Sequence, residues 1–262
     1  MSLGLALGGS RRIQVSPANE LVRFPWDLVA LLAVSPRLKS GPLVTDPAAA
    51  VGAAVARWEP SLAGTRVPPA VDFGDSLPTR EVRTPFVDSL RFTDDGMRAT
   101  AAADQALTGL YVLMGGSMLV GNNGERIIRM SDRLFADTGH TLQIEQHSSG
   151  NLLVTFPIAD GGYALSTPMD GAPFVVELCA GAAGSRYVTI HDATGVRATQ
   201  GFTGQAYLGS NFGGLTVGAY NANQSDSQDF RLSAFFASSV VPEAAERISL
   251  VTAMRRLIGH PV

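Results

Sequence analysis

The sequence predicts a mainly β fold, in which a jelly-roll sandwich follows an N-terminal arm and is closed by a C-terminal helix. Between residues 86 and 240, strand-length apolar segments are separated by turn sequences such as Asp94-Asp-Gly and Asp160-Gly-Gly, a spacing typical of β-sandwiches. The 262 residues include 28 glycines and 15 prolines, and only 16% are charged. Such a chain is rich in turns and long enough to bury a sizeable core.

Residues 1–65 are predicted to form a docking arm of short helices and extended pieces. The apolar run 26–34 indicates one short helix ended by Ser35-Pro36, and Asp46-Pro47 is typical of the start of a second helix that runs to Trp58. The large apolar side chains of the arm exceed what so short a segment could bury alone, so we expect an attachment surface. These residues are Phe24, Trp26, Leu28, Leu31 and Trp58.

Residues 66–85 are predicted to be a connector, because Pro68, Pro69, Pro78 and Pro85 interrupt any regular element. Residues 86–262 then form the predicted sandwich and its closing helix. This division places the arm, the connector and the sandwich in three consecutive stretches of the chain.

The last sixty residues carry the clearest pattern. Apolar residues alternate with small or polar ones in two segments separated by a polar loop. They are Leu215, Val217 and Ala219, then Phe230, Leu232, Ala234 and Phe236. Pro242 can then open a helix, and Arg255 and Arg256 suit the negative end of its dipole. The predicted buried stripe of that helix comprises Ile248, Val251, Met254, Leu257 and Ile258.

Three segments of the chain resemble concanavalin-A-like, laminin-G-type lectin domains. They are 86–92, the Gly-rich 213–220, and 229–236 with the Pro242 helix behind it. The resemblance implies a jelly-roll sandwich in which a Gly-rich strand precedes a core strand and a short helix, and it raises the expectation of carbohydrate binding.

One short motif points to a different chemistry. Residues 73–77 match the nucleophile block of GDSL-type serine esterases, with Ser76 as the nucleophile, and Asp137 and His140 imitate the acid–base pair of that family. Prolines surround the block. In the esterase family the acid–base pair lies near the C-terminus, whereas here more than a hundred mostly β residues follow it. We therefore interpret 74–76 as a turn and keep the esterase as an alternative.

A second catalytic comparison concerns carboxylates. Laminarinase-type glucanases share the sandwich and place acidic residues at alternating positions of one strand, because retaining glycoside hydrolysis needs two carboxyl groups beside one bond. Here Glu145 and Glu177 each stand alone on an apolar strand, and we expect both to face outward. No catalytic residue is assigned, and the protein is predicted not to be an enzyme.

The polar loop near residues 221–229 is the candidate glycan contact. Tyr220, Asn221, Asn223 and Asp226 offer a ring, amides and a carboxylate for a sugar. With Asp229 the loop also has oxygen ligands suited to calcium, but the glycine expected in a calcium loop is missing, so we predict neither metal nor cofactor. Further residues considered for sugar contact are Tyr163, Tyr187, Tyr207 and Asn211.

The histidines and the cysteine are interpreted as structural. His140, His147, His191 and His260 lack the spacing of a zinc site. Cys179 is the only cysteine, so no intramolecular disulfide can form, and its strand-like setting predicts a buried thiol.

Charge and hydropathy exclude two classes of partner. The net charge of −3 offers no basic face for nucleic acid. The apolar runs 3–7 and 28–34 are too short to span a membrane, and the first lacks the basic flank of a secretory signal. We therefore expect a protein folded in the cytoplasm without membrane insertion.

These features together resemble the accessory virion proteins of tailed phages and gene transfer agents. The resemblance implies a homo-oligomeric head spike, fibre base or decoration protein, assembled into a phage-like particle and released by lysis. Expected partners are copies of itself, capsid, spike or fibre subunits, and cell-surface polysaccharide. A free carbohydrate-binding lectin is the main alternative to this virion role.

Overall fold

The computed structural model describes residues 16–72, 77–84, 87–93, 95–118, 125–135, 141–146, 151–156, 162–165, 171–181, 186–201, 210–221, 224–225 and 229–261. It shows a mainly β protein in which two antiparallel sheets pack face to face, with a helix near the C-terminus. The predicted sandwich and its closing helix are confirmed.

The described residues form two α-helices, one 3₁₀ turn and nineteen strands. Helix α1 is Pro17–Leu21, a 3₁₀ turn spans Ser35–Arg37, and helix α2 is Ala244–Leu257. Neither helix in the described ranges has the length and apolar character needed to cross a membrane. The described strands are β1 (Val29–Leu32), β2 (Leu38–Lys39), β3 (Arg57–Trp58), β4 (Ala70–Asp72), β5 (Thr79–Thr84), β6 (Val87–Thr93), β7 (Met97–Leu107), β8 (Leu110–Met118), β9 (Glu125–Ser131), β10 (Leu142–Gln146), β11 (Leu152–Thr155), β12 (Gly162–Leu165), β13 (Phe174–Ala180), β14 (Arg186–Asp192), β15 (Gly195–Gly201), β16 (Ser210–Val217), β17 (Ala219–Asn221), β18 (Gln224–Ser225) and β19 (Asp229–Ser238).

Two large sheets organise these strands. Sheet A has the order β15-β14-β13-β8-β19-β6-β5, and β1 also pairs with β19. Sheet B has the order β12-β11-β10-β9-β16-β7-β4-β3-β2, and β17 pairs with β18 in a small hairpin. Strand β19 therefore has three partners, since β8 lies along one side while β6 and β1 follow one another along the other.

The inner faces of the two sheets enclose the main hydrophobic core. It contains Trp58, Phe92, Phe212 and Phe230, all at most 2% exposed. The rings of Phe92 and Phe230 stack with 4.7 Å between centroids and 2° between planes. Such a pair contributes about 0.5–1.5 kcal/mol beyond its area burial, so it ties β6 to β19.

The outer face of sheet A carries a second hydrophobic layer, covered by the α1 segment and α2. Trp26 stacks on Tyr111 at 6.0 Å and donates its Nε1 hydrogen to the Leu21 carbonyl at 2.6 Å. From α2 and the residue after it, this layer takes Leu250, Val251, Ala253, Met254, Leu257 and Ile258.

The predicted stripe of α2 is right at four of its five positions. Ile248 is the exception, because it is 69% exposed. The buried face of the helix is centred on Leu250 and Met254, which are four residues apart and therefore lie on the same face. Ile248 lies on a flank of that face. Gly259, with φ of 81°, follows the helix in the left-handed conformation favoured at such an end.

The segment expected to form helices in the arm is instead built into the sheets. Strand β1 pairs with β19 through Leu31 opposite Phe235, so the predicted helix 26–34 is wrong. The expected second helix is also wrong, since Ala48 bridges Lys39 and Trp58 ends strand β3. A short continuous apolar run has no period, so it fits a buried strand as well as a helix.

The expected attachment surface is wrong, because the side chains assigned to it are buried. The five side chains concerned are at most 4% exposed, and they lie in the two hydrophobic layers. They are Phe24, Trp26, Leu28, Leu31 and Trp58. They pack against the two sheets and α2 instead of forming a free surface. The predicted connector likewise contains two strands, β4 and β5, on either side of its undescribed residues.

Candidate functional site

A pocket of about 320 Å³ lies on the outer face of sheet A, where β13 and β14 pass beneath one flank of α2. Six of its lining side chains are polar or ionisable. They are Glu177, Tyr187, His191, Arg247, Thr252 and Arg255. We call it the α2 pocket.

The strand register assembles the polar groups under α2. In β13, Glu177 and Cys179 alternate with residues of the inner core, so their side chains lie on the outer face. Cys179 pairs with Tyr111 of β8 on one side and Tyr187 of β14 on the other. His191 lies two residues beyond the direct neighbour of Glu177 on β14. Glu177 is therefore diagonal to three polar side chains, a spacing that long side chains bridge.

Glu177 is 5% exposed, and both of its carboxylate oxygens are engaged. The hydroxyls of Tyr187 and Tyr111 donate to Oε1 at 2.9 and 3.2 Å. His191 Nε2 lies 3.2 Å from Oε2, and donates to it in the tautomer that carries hydrogen there. A buried carboxylate without donors would cost several kcal/mol, so this network explains how β13 tolerates the charge.

The two tyrosines serve as hydrogen-bond donors. Burial, and then the nearby Glu177 carboxylate, raises the pKa of Tyr111 and the pKa of Tyr187 well above the ordinary value. Both hydroxyls are therefore protonated at neutral pH. A phenolate nucleophile is therefore disfavoured at this position.

Arg247 approaches the pocket from α2. Its Nη1 donates to the Pro242 carbonyl at 2.8 Å. Its guanidinium carbon lies 5.9 Å from the centroid of the Tyr187 ring, within the range of a cation–π contact. These contacts orient the guanidinium group towards the strands.

Arg255 lies two helical turns further along the same flank, since residues eight apart share a helix face. Its Nη2 donates to the carbonyls of Ala193 and Pro261 at 3.3 and 3.4 Å. Its Nε is buried and has no hydrogen-bond acceptor among the described residues. The pocket therefore holds two guanidinium groups and one carboxylate.

The predicted glycan residues lie elsewhere. Tyr220 and Asn221 belong to β17, but the description of the structure does not extend to their side chains. Asn223 and Asp226 lie outside the described residues. Their sugar contact remains a prediction. Of the other residues considered, Tyr187 lies in the α2 pocket and Asn211 is exposed on β16.

The suggested calcium ligand Asp229 has a different role. Its two oxygens accept hydrogen bonds from Nε and Nη2 of Arg91 at 2.9 and 2.8 Å, which joins the start of β19 to β6. No three His, Cys, Asp or Glu side chains of the described ranges gather as they would around a metal ion.

Some of the remaining predicted residues are described by the structure, and others are not. Ser76, Asp137, His140 and His147 lie outside the described residues, so the esterase block stays a sequence prediction. His260 Nε2 lies 2.9 Å from the Pro173 carbonyl. Cys179 is buried as predicted, and burial, the largest influence, raises the pKa of its thiol to about 11.

The two glutamates considered for glycoside hydrolysis lie on opposite sides of the sandwich. Glu145 accepts a hydrogen bond from Gln143 and lies near Arg126, on the face of sheet B away from the core. Glu177 lies on the outer face of sheet A, beneath α2, and is buried instead of outward-facing in solvent as expected. Packed sheets are about 10 Å apart, so two carboxylates beyond their outer faces cannot flank one glycosidic bond.

The α2 pocket was not predicted from the sequence. Tyr111, Glu177 and Arg247 are far apart in the chain, and only the pairing of β8, β13 and β14 beneath α2 brings them together. One signal was available. Strand β13 is buried at every position, and a carboxylate in such an apolar run requires a buried donor network.

No protein-family model matches the chain, and no curated protein matches it. Solved structures do resemble it. The botulinum neurotoxin serotype D ligand binding domain in complex with N-acetylneuraminic acid is similar to 88% of this chain at TM-score 0.54 and 10% identity. A mutant Trypanosoma rangeli sialidase displaying trans-sialidase activity is similar to 91% at TM-score 0.54 and 10% identity. At this identity the likeness concerns the fold.

The matches cover only part of the other proteins. The chain spans 52% of the serotype D domain and 34% of the sialidase. The botulinum neurotoxin serotype G binding domain shows a weaker likeness, with TM-score 0.47 and 9% identity over 71% of this chain and 46% of that domain. The two matches with TM-score 0.54 agree with the β-sandwich fold of this chain.

Proposed function

We propose that this chain is a non-enzymatic, lectin-like sandwich that binds cell-surface carbohydrate as a structural component of a phage-like particle. The observation that carries glycan binding is the α2 pocket, whose volume of about 320 Å³ is within the usual range of small-ligand sites. The partly buried Tyr187 ring offers an apolar surface, while Thr252, Arg247 and Arg255 offer groups for sugar hydroxyls and acidic substituents.

The fold supports this proposal. The serotype D domain similar to this chain was solved with N-acetylneuraminic acid, so a sandwich of this shape is compatible with sugar binding. The sialidase relative acts on sugars as a longer protein, of which this chain matches 34%.

The geometry favours binding over catalysis. The described glutamates on β10 and β13 are separated by the sandwich, and the tyrosines beside Glu177 are held protonated. The esterase alternative depends on Ser76. If the purified protein hydrolyses short acyl esters and Ser76→Ala abolishes that activity, the non-enzymatic proposal is wrong.

Glycan binding is tested with a glycan array followed by calorimetry. We expect wild-type protein to bind at least one glycan, and Arg247→Gln to weaken binding about tenfold or more, because a charged hydrogen bond contributes about 1.5–3 kcal/mol. Arg256→Gln is the matched control on α2, because Arg256 is 49% exposed and lies 4.0 Å from Glu20.

Two outcomes would change the proposal. Absence of binding to every arrayed glycan would overturn it. If Tyr220→Ala abolishes glycan binding and Arg247→Gln binds as tightly as wild type, the site lies in the 221–229 loop predicted from the sequence. Circular dichroism of each variant separates loss of binding from loss of fold.

The particle setting has its own test. We expect the native chain to co-sediment with large protein particles when lysates of the producing cells are fractionated on a density gradient and analysed by mass spectrometry. Recovery only as a small species would contradict the particle role, and would leave a free lectin as the function.

A further inference from the structure

We infer that the α2 pocket selects glycans that carry a carboxylate, such as uronic or sialic acids. This inference rests on the proposed glycan binding and goes further by naming the substituent that is recognised. It follows from the charges around the pocket and from how each of them is already engaged.

The charged groups lining the pocket do not balance. Glu177 contributes one negative charge, and Arg247 and Arg255 contribute two positive charges. His191 adds to the excess when it is protonated. The remaining lining residues carry no charge at neutral pH. A sugar acid would restore neutrality, whereas a neutral sugar would leave a guanidinium group without a counter-charge.

Of the three charged groups, the Glu177 carboxylate has its hydrogen-bonding capacity best filled. Three donors surround the carboxylate of Glu177, and only 5% of the residue is exposed. Its donors therefore limit its repulsion of an incoming anion. The arginines are less buried than Glu177 and lie on the helix above it, so they are closer to an entering ligand.

The arginines retain donors for an anion. Among the described residues, no carboxylate lies within 4.0 Å of either guanidinium group. Arg247 donates hydrogen bonds to the Pro242 carbonyl and the Tyr187 hydroxyl, and Arg255 donates to two backbone carbonyls. The buried Nε of Arg255 has no acceptor in this part of the chain. A guanidinium group presents several N–H donors in one plane and matches the two oxygens of a carboxylate.

The test compares each acidic sugar with its own neutral derivative. Oligogalacturonate, a glucuronate-containing oligosaccharide and a sialyl-oligosaccharide are assayed beside the same compounds after reduction of the carboxyl group to an alcohol. We expect at least one acidic compound to bind, its reduced form to bind about tenfold more weakly or worse, and sodium chloride to weaken binding.

Arginine variants test whether the preference for acidic sugars depends on the α2 pocket. Arg255→Gln should remove most of the preference for the acidic form, Arg255→Lys should restore part of it, and Arg256→Gln should leave it unchanged. Equal binding of acidic and reduced sugars would overturn the carboxylate inference and leave glycan binding standing. Binding of sulfated sugars alone would also overturn it. Failure to bind any glycan, acidic or neutral, would remove the proposed function itself.

Discussion

At the scale of single residues, Glu177 shows how a buried charge is maintained. Both tyrosine hydroxyls donate to the same oxygen, Oε1. Glu177→Gln can keep an acceptor at that position, whereas Glu177→Ala leaves two hydroxyls without one. We expect Ala to lower the free energy of unfolding by about 2–4 kcal/mol and Gln by about 1 kcal/mol. Urea unfolding measures both, and an Ala variant as stable as Gln would refute the network.

Cys179 gives a second prediction at this scale. Burial raises the pKa of its thiol to about 11, and the thiolate is the reactive form. At pH 8 the folded protein should therefore react with iodoacetamide far more slowly than the urea-unfolded protein, by at least about a hundredfold, because both burial and protonation protect the sulfur. Mass spectrometry of the labelled chain checks this. Rapid labelling of the folded protein would mean that the layer beneath α2 opens easily.

At the scale of elements, the contact of β8 with β19 depends on a glycine. A Cβ added at Gly116 would lie 2.3 Å from the Arg231 carbonyl, next to the irregular register between Leu232 and Ala234. Gly116→Ala should cost about 2–3 kcal/mol, as overpacking does. Gly201→Ala is the control, because nothing lies within 4 Å of the added atom. Thermal and urea unfolding of the two variants should differ clearly, and equal stability would show that the strands adjust freely.

The sequence predicted the elements where a period was visible. Strands β16 and β19 and the basic last turn of α2 follow from local sequence. The predicted single face of β19 is wrong beyond Leu232, because the register shifts before Ala234 and places Ala234 and Phe236 in the outer layer. Strand β1 was missed because its four residues are all buried, so no alternation distinguishes it from a helix. The strands around Pro78 were missed because prolines at strand ends look like those of a connector.

The α2 pocket could not be predicted for a different reason. Its polar residues come together only because β8, β13 and β14 are neighbours in sheet A. Local sequence does not encode which strands pair. Arg247 and Arg255 were visible as helix residues, and Arg255 was explained by the helix dipole alone. Their second role becomes apparent only when α2 lies across sheet A.

At the scale of the whole molecule, sheet A is shared by both hydrophobic layers. Its inner face packs on sheet B, and its outer face packs on the α1 segment and α2. Strand β19 contributes Phe235 to the inner core and Phe236 to the outer layer. Loss of either layer therefore exposes a face of the same strands, and we expect the described sandwich and its helices to unfold as one unit.

The two tryptophans make this cooperativity measurable, because Trp58 lies in the inner core and Trp26 in the outer layer. Trp58→Phe leaves Trp26 as the only tryptophan, and Trp26→Phe leaves Trp58. In each variant, urea unfolding followed by tryptophan fluorescence should coincide with that followed by far-ultraviolet circular dichroism. If the Trp26 signal changes at lower urea than the circular dichroism, the helical layer unfolds first, and the α2 pocket would be lost while the sandwich persists.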